Sequence, residues 1–170
     1  MMDTKSPGLP PALAAAYGLV EDGFRRLRNL VKGMTADELE YLGPGGNRNS
    51  TATLLVHLAL TDLEYLHCIK GEPIAADLAA RFGPYHTEEG HLPPVTGRNV
   101  DDLLAQYAEV IDLGRAYLAT LTDADAERPV KVEWWRQPAT VRFVLWHMAG
   151  HSMFHQGQIQ RLRLSYKAGF

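Results

Sequence analysis

Apolar side chains recur along four long stretches of the chain at steps of three and four residues. These stretches cover residues 10–34, 51–70, 99–121 and 141–166. Such spacing places the apolar side chains on one face of a helix and the polar ones on the other. The pattern therefore predicts four amphipathic helices that bury their apolar faces against one another, which is an all-α bundle.

Local signals mark where these helices begin and end. Thr35 opens a capping-box pattern with Glu38, which predicts a short helix to about residue 42 before the glycine-rich residues 43–46 break it. Residues suited to capping the later helices are Asn49 or Ser50, Asn99 and Thr140. Gly114 stands where the third helix would otherwise carry an apolar residue, which indicates a close approach of two helices at that point.

The remaining segments are shorter and less regular. Residues 74–82 predict one more short helix, residues 83–94 are a loop by composition, and residues 130–135 begin to alternate like a minor strand. A loop as long as 83–94 is often functional, and it can also carry the chain across the bundle to join two parallel helices. Residues 1–9 predict a flexible tail, which leaves residues 10–170 as a single domain.

Composition excludes several classes of protein. The 170 residues carry a formal net charge of −3, which argues against a non-specific nucleic-acid binder. No apolar run approaches the ~20 residues that a membrane helix needs, and the N-terminus does not have the pattern of a signal peptide. The single cysteine, Cys68, excludes an intramolecular disulfide. We expect a cytoplasmic protein with no membrane or nucleic-acid partner.

Histidines in the fourth helix carry the clearest chemical signal. His147, His151 and His155 are each four residues apart, so their side chains lie near one face of the helix. His151 and His155 fall between apolar residues on the core-facing side. Neutral imidazoles placed in this way suit zinc, nickel or iron, and the best candidate for a third ligand on another helix is His57. The alternative is a set of core histidines that hydrogen-bond to hydroxyls, carbonyls or water.

The segment HMAGHSMFHQGQIQRLR, residues 147–163, resembles the last-helix signature of the DinB/YfiT-like superfamily. STATLLVHLALTDLE, residues 50–64, resembles the second helix of that superfamily, where the first metal-binding histidine stands. TVRFVLWH, residues 140–147, resembles its lead-in to the last helix. Gln156 stands where the superfamily commonly has arginine, and this difference affects no ligand position.

The resemblance implies an up-up-down-down four-helix bundle with short extra helices and one long crossover loop, often dimeric. It also implies one divalent metal ion, held by His57, His151 and His155. Relatives include thiol-dependent transferases and isomerases that use low-molecular-weight bacterial thiols.

Other polar residues near these positions are further candidates for roles in the site. We interpret His147 as a packing or supporting residue beside the site, and Gln158 as a hydrogen-bond partner for a ligand or substrate. Glu64 is a candidate catalytic residue that accepts a proton from a metal-bound water, or else a surface glutamate. His86 and His91 lie in the long loop and are either solvated or line the mouth of the site.

These features predict a divalent-metal-dependent enzyme, either a hydrolase or a thiol S-transferase that acts on a small molecule with a small bacterial thiol. Three protein ligands leave a coordination position open, which is typical of catalytic rather than structural sites. The alternative is a non-catalytic, stress-related metal-binding bundle. In both cases we expect a homodimer.

Overall fold

Four long helices dominate the computed structural model, which describes residues 5–169. In chain order the elements are α1 (Pro11–Val31), α2 (Ala36–Glu40), α3 (Thr51–Lys70), α4 (Ala76–Phe82), α5 (Val100–Leu118), a 3₁₀ helix (Asp123–Glu127), β1 (Pro129–Val130), β2 (Ala139–Thr140) and α6 (Val141–Lys167). The strands β1 and β2 form one small antiparallel pair, so the predicted all-α bundle is confirmed. Each helix within the described residues is too short or too polar to cross a lipid bilayer.

The predicted N-terminal caps are present. The side chains of Thr35, Ser50, Asn99 and Thr140 each accept the backbone N–H three residues further on. Of the two residues that the sequence offers before α3, Ser50 forms the cap. These bonds satisfy N–H groups that the first turn of a helix leaves without intrahelical partners.

The long connection between α3 and α5, residues 71–99, joins two parallel helices. This is one of the two roles that the sequence suggests for the loop of residues 83–94. Asp62 bonds to Tyr107, and further along both helices Leu66 approaches Gly114. The chain must therefore cross from one end of the bundle to the other between these helices. The crossover includes α4 and the loop of residues 83–94.

The last helix, α6, runs antiparallel to α3, since His57 meets His155 while Tyr65, further along α3, meets the earlier His147. It runs parallel to α1. Gln156 donates a hydrogen bond to the Gly23 carbonyl, and Arg163, seven residues later, donates one to the Leu30 carbonyl, seven residues after Gly23. The directions of α1, α3, α5 and α6 are thus up, down, down and up. The bundle is as expected, but this order corrects the up-up-down-down arrangement that the resemblance implied. The physical reason is that the α1–α3 connection returns the chain at the same end of the bundle.

Gly114 marks the predicted close approach of helices. A Cβ atom added there would lie 2.2 Å from Tyr17 Oη and 3.0 Å from a methyl carbon of Leu66. The Tyr17 hydroxyl uses this space to donate a hydrogen bond of 2.6 Å to the Ile111 carbonyl. The glycine therefore lets α1, α3 and α5 meet around a buried tyrosine.

Residues 1–4 of the predicted tail lie outside the described residues. Within the remainder, Ser6 is buried and its N–H donates a 3.0 Å hydrogen bond to the Ala14 carbonyl. The flexibility expected for residues 1–9 stays a prediction.

Candidate metal centre

Three histidines from two helices converge in the middle of the bundle. His57 comes from α3, and His151 and His155 come from successive turns of α6. One ring nitrogen of each lies within 4.8 Å of those of the other two. His155 is buried, whereas His57 and His151 are half-buried. We call these three residues the three-histidine cluster.

The spacing of the nitrogens fits a shared ion. His151 Nε2 lies 3.2 Å from His57 Nε2 and 2.9 Å from His155 Nε2. Two nitrogens at about 2.1 Å from one metal are about 3.0–3.4 Å apart when the angle between them is 90–110°. Three imidazole lone pairs this close repel one another unless a proton or a cation lies among them, so the donor set suits a divalent metal.

The surroundings keep these imidazoles neutral. Burial and then, in that order, the neighbouring His155, His57 and His147 together lower the pKa of His151 to about 3. Burial, then His155 and then His86, lowers the pKa of His57 to about 4. The pKa of His155 is also lowered by burial, and the hydrogen bond that its ring donates to Gln158 partly offsets this by raising the pKa. Neutral imidazole is the form that binds metal, so the cluster is ready to do so at neutral pH.

Two polar side chains orient the rings from behind. His155 Nδ1 lies 2.9 Å from Gln158 Oε1, and because an amide oxygen only accepts, the ring proton belongs on Nδ1. This leaves the Nε2 lone pair of His155 free to face its neighbours. On α3, Thr61 Oγ1 lies 3.4 Å from His57 Nδ1 and 3.1 Å from the Tyr85 hydroxyl. Such partners fix ring orientation and raise metal affinity in histidine sites.

His147 lies beside the cluster rather than in it. Its ring stacks on His151 with centroids 6.4 Å apart, and it packs against Tyr65 at 5.4 Å and Trp135 at 4.9 Å. Trp134 also packs against Tyr65, with ring centroids 5.5 Å apart. The aromatic rings thus wall the site on the side of the α6 N-terminus.

The loop of residues 83–94 reaches the site through Tyr85 and His86. The ring of Tyr85 lies 5.7 Å from that of His57, and Tyr85 also contacts His86 at 4.4 Å. His91 lines a cavity further along α6. The reading in which this loop lines the mouth of the site is therefore the one that the contacts favour.

Glu64 stands one turn beyond Thr61 on α3 and is half-buried. Burial raises the pKa of its carboxyl. After burial, the charge of Glu64 further raises the pKa of the Cys68 thiol, and it also raises that of the Tyr85 phenol. Its carboxylate is therefore close enough to influence groups at the edge of the site, which agrees with the role predicted for it without testing that role.

Sequence reasoning missed two contributors and one buried acid. Thr61 does not stand out in the apolar periodicity of α3, although its position four residues after His57 is a usable signal. Tyr85 offered no signal, because loop composition does not reveal which side chain folds inward. Asp62 is fully buried in the core, where Tyr107 donates a 2.6 Å hydrogen bond to it and burial raises its pKa to about 7.

A four-helix bundle with histidines at these places on its second and last long helices defines a DinB/YfiT-like protein. A family model described as mycothiol-S-transferase matches residues 17–168. The chain belongs to this family.

The chain is also similar to a curated protein and to a solved structure. The chain is 34% identical over 160 residues to the uncharacterized protein YkkA of Bacillus subtilis (strain 168), covering 94% of this chain and 90% of the relative. Among solved structures, a conserved protein from Enterococcus faecalis is similar, with a TM-score of 0.67 and 17% identity over 87% of this chain and 92% of the other. This second likeness concerns the fold alone.

Proposed function

We propose that the protein is a metal-dependent thiol S-transferase that joins a low-molecular-weight thiol to a small electrophile. The observation that carries the proposal is the convergence of three neutral histidine nitrogens in a chain that belongs to the mycothiol-S-transferase family. The family description favours sulfur transfer over hydrolysis.

His57, His151 and His155 would hold one divalent metal, zinc, nickel or iron, through Nε2. When bound, the metal supplies a positive charge that stabilises thiolate over thiol and leaves at least one position for the substrate. The site geometry supports this, since the ring nitrogens on the far side of His57 and His155 are engaged by Thr61 and Gln158.

The transfer itself needs a proton acceptor and a shielded space. The sulfur forms a bond to the electrophilic carbon, the thiol proton goes to a base, and the leaving group departs with the bonding electron pair. Glu64 is the base that we propose, because burial raises its pKa towards the range in which a carboxylate accepts a proton effectively. The Tyr85 ring lies 5.7 Å from that of His57 and would limit the access of water from the loop side.

The experiment is a thiol-transfer assay with metal-loaded protein. Mycothiol and monochlorobimane are incubated with the protein, and the thioether product is identified by mass spectrometry. We expect conjugation well above the spontaneous rate, its loss after metal removal, and its loss in His155→Ala. His67→Ala is the matched control, because His67 bonds to the Glu72 carbonyl away from the cluster. Metal-loaded protein that conjugates neither this thiol nor other small thiols would overturn the proposal in favour of a non-catalytic metal-binding bundle.

A further inference from the structure

A chain of polar contacts runs from the loop of residues 83–94 to the three-histidine cluster. The Tyr85 hydroxyl lies 3.1 Å from Thr61 Oγ1, and Thr61 Oγ1 lies 3.4 Å from His57 Nδ1. Thr61 is only 2% exposed, so solvent does not compete for its hydroxyl group. One buried hydroxyl therefore links a loop side chain to a ring nitrogen of a candidate metal ligand. We call these three residues the hydroxyl chain.

A bound metal would fix the direction of the hydroxyl chain. His57 would give its Nε2 lone pair to the metal, so its ring proton must lie on Nδ1, which donates to Thr61 Oγ1. The Thr61 hydroxyl then donates its own proton to Tyr85 Oη. Without a metal the His57 proton has a second position, on Nε2, which faces His151 Nε2 at 3.2 Å. Metal binding thus selects one of two arrangements of the chain.

The same metal would also strengthen the hydroxyl chain. A cation draws electron density from the imidazole that binds it, which makes the Nδ1–H of His57 a stronger hydrogen-bond donor. Each bond in such a chain polarises the next one. The contact between Thr61 and Tyr85 should therefore be more stable in the metal-loaded protein than in the metal-free protein.

Tyr85 is where the loop of residues 83–94 meets α3. Its ring is half-buried and lies 5.7 Å from the His57 ring. The loop also holds its own turn, in which the Thr87 N–H donates a 2.8 Å hydrogen bond to the His91 carbonyl. Residues 88–91 of this turn are exposed. A segment with so little buried surface opens readily, so the strength of one hydrogen bond changes how often it is docked.

We propose that Thr61 and Tyr85 are positioning residues that couple metal binding at the three-histidine cluster to docking of the loop of residues 83–94. The metal stabilises the docked loop, and the docked loop holds the His57 ring as the metal requires. Coupling between two equilibria is reciprocal. A substitution that uncouples the loop must therefore weaken metal binding by the factor by which the metal no longer favours docking. The proposal rests on the metal site and not on thiol transfer.

Four variants separate hydrogen bonding from packing. Thr61→Val removes the hydroxyl and keeps a β-branched side chain, whereas Thr61→Ser keeps the hydroxyl and removes a methyl group. Tyr85→Phe removes only the loop end of the hydroxyl chain. Thr51→Val is the matched control. Thr51 is also buried on α3, and its hydroxyl has no hydrogen-bond partner within the described part of the chain.

Two measurements on the full-length protein test the coupling. Zinc affinity is measured by competition with a fluorescent chelator, and amide hydrogen exchange of residues 83–94 is followed by mass spectrometry with and without saturating zinc. In the wild type, zinc should slow exchange of this loop by roughly threefold to tenfold.

The variants should respond as follows from the reciprocity. Thr61→Val should lose the zinc-dependent slowing and bind zinc roughly tenfold to a hundredfold more weakly. Tyr85→Phe should lose the slowing and bind zinc weaker by the same factor, roughly threefold to tenfold. Thr61→Ser and Thr51→Val should match the wild type in both measurements.

Several outcomes would overturn the proposal. Loop exchange in the wild type that is equal with and without zinc excludes the coupling. Wild-type behaviour of Tyr85→Phe in both measurements does so too, and leaves Thr61 as a support for His57 alone; this arm holds even where Thr61→Val does not fold. Losses in Thr61→Ser or Thr51→Val equal to those in Thr61→Val indicate packing instead of hydrogen bonding. A wild type that binds no zinc removes the metal site and the coupling with it. Coupling in a protein that conjugates no thiol supports this proposal and contradicts the proposed function.

Discussion

The pH dependence of metal binding follows directly from the burial of the three-histidine cluster. A histidine with the ordinary pKa of about 6.5 is roughly nine-tenths protonated at pH 5.5, and three such ligands would weaken metal binding about a thousandfold between pH 7.5 and 5.5. Here the pKa is about 4 for His57 and about 3 for His151, and that of His155 is also lowered. Proton competition should therefore cost less than about tenfold over the same interval.

The lowered pKa values preserve metal affinity at low pH, but they reduce the stability of the metal-free fold there. Because the folded pKa values lie below that of the unfolded chain, the unfolded chain binds more protons between about pH 6.5 and 4. The metal-free protein should lose stability as the pH falls through this window and regain it as the pH rises. Competition with a fluorescent zinc chelator, corrected for the chelator's own protonation, measures the affinity, and urea unfolding of metal-free protein measures the stability. A loss of affinity of a hundredfold or more by pH 5.5 would refute the reasoning.

Three further predictions concern stability and assembly. Removing the metal should lower the melting temperature in differential scanning fluorimetry by roughly 5–10 °C, because a ligand present at 100 times its Kd stabilises the native state by about 2.7 kcal/mol; an unchanged curve after verified removal would argue against coupling. Gly114→Ala should destabilise the fold by about 1–3 kcal/mol in urea unfolding, since the methyl group collides with Tyr17, whereas Gly150→Ala, in open space on α6, should stabilise it by up to about 1 kcal/mol; equal effects would be inconsistent with the packing described. Exposed apolar residues on α6, including Trp146 at 56% and Phe154 at 64% exposure, suit a homodimer contact. Light scattering should therefore give the mass of a dimer, and the double variant Trp146→Glu with Phe154→Glu should give a lower mass. A monomeric wild-type protein would exclude this contact.

Much of the fold was accessible from sequence because its signals are local. The short polar side chains of Ser50, Asn99 and Thr140 indicate where helices begin. Gly114 indicates a close helix contact because it interrupts an apolar face. Helix direction is not local. It depends on how connections return along the bundle, and the resemblance supplied an order that the contacts of Gln156 with Gly23 correct.

The candidate site also contains residues that local sequence signals predict and residues that they do not. The histidines of α6 and His57 on α3 were found because a helical period relates residues on one helix and a core position points them inward. The contacts of Tyr85 and His91 depend on a loop whose path no periodicity encodes. The cavity lined by Arg48 and Arg161 also has no signal in the sequence, since these residues lie far apart in the chain and line it together only because α6 ends where α3 begins.

Metal analysis of single-histidine variants tests the central claim most directly. Purified wild-type protein and His147→Ala should each contain about one divalent metal ion per chain, by elemental mass spectrometry, because His147 lies beside the cluster and not in it. His57→Ala, His151→Ala and His155→Ala should contain almost none after dialysis. Full metal content in these three variants, or loss in His147→Ala alone, would contradict the account.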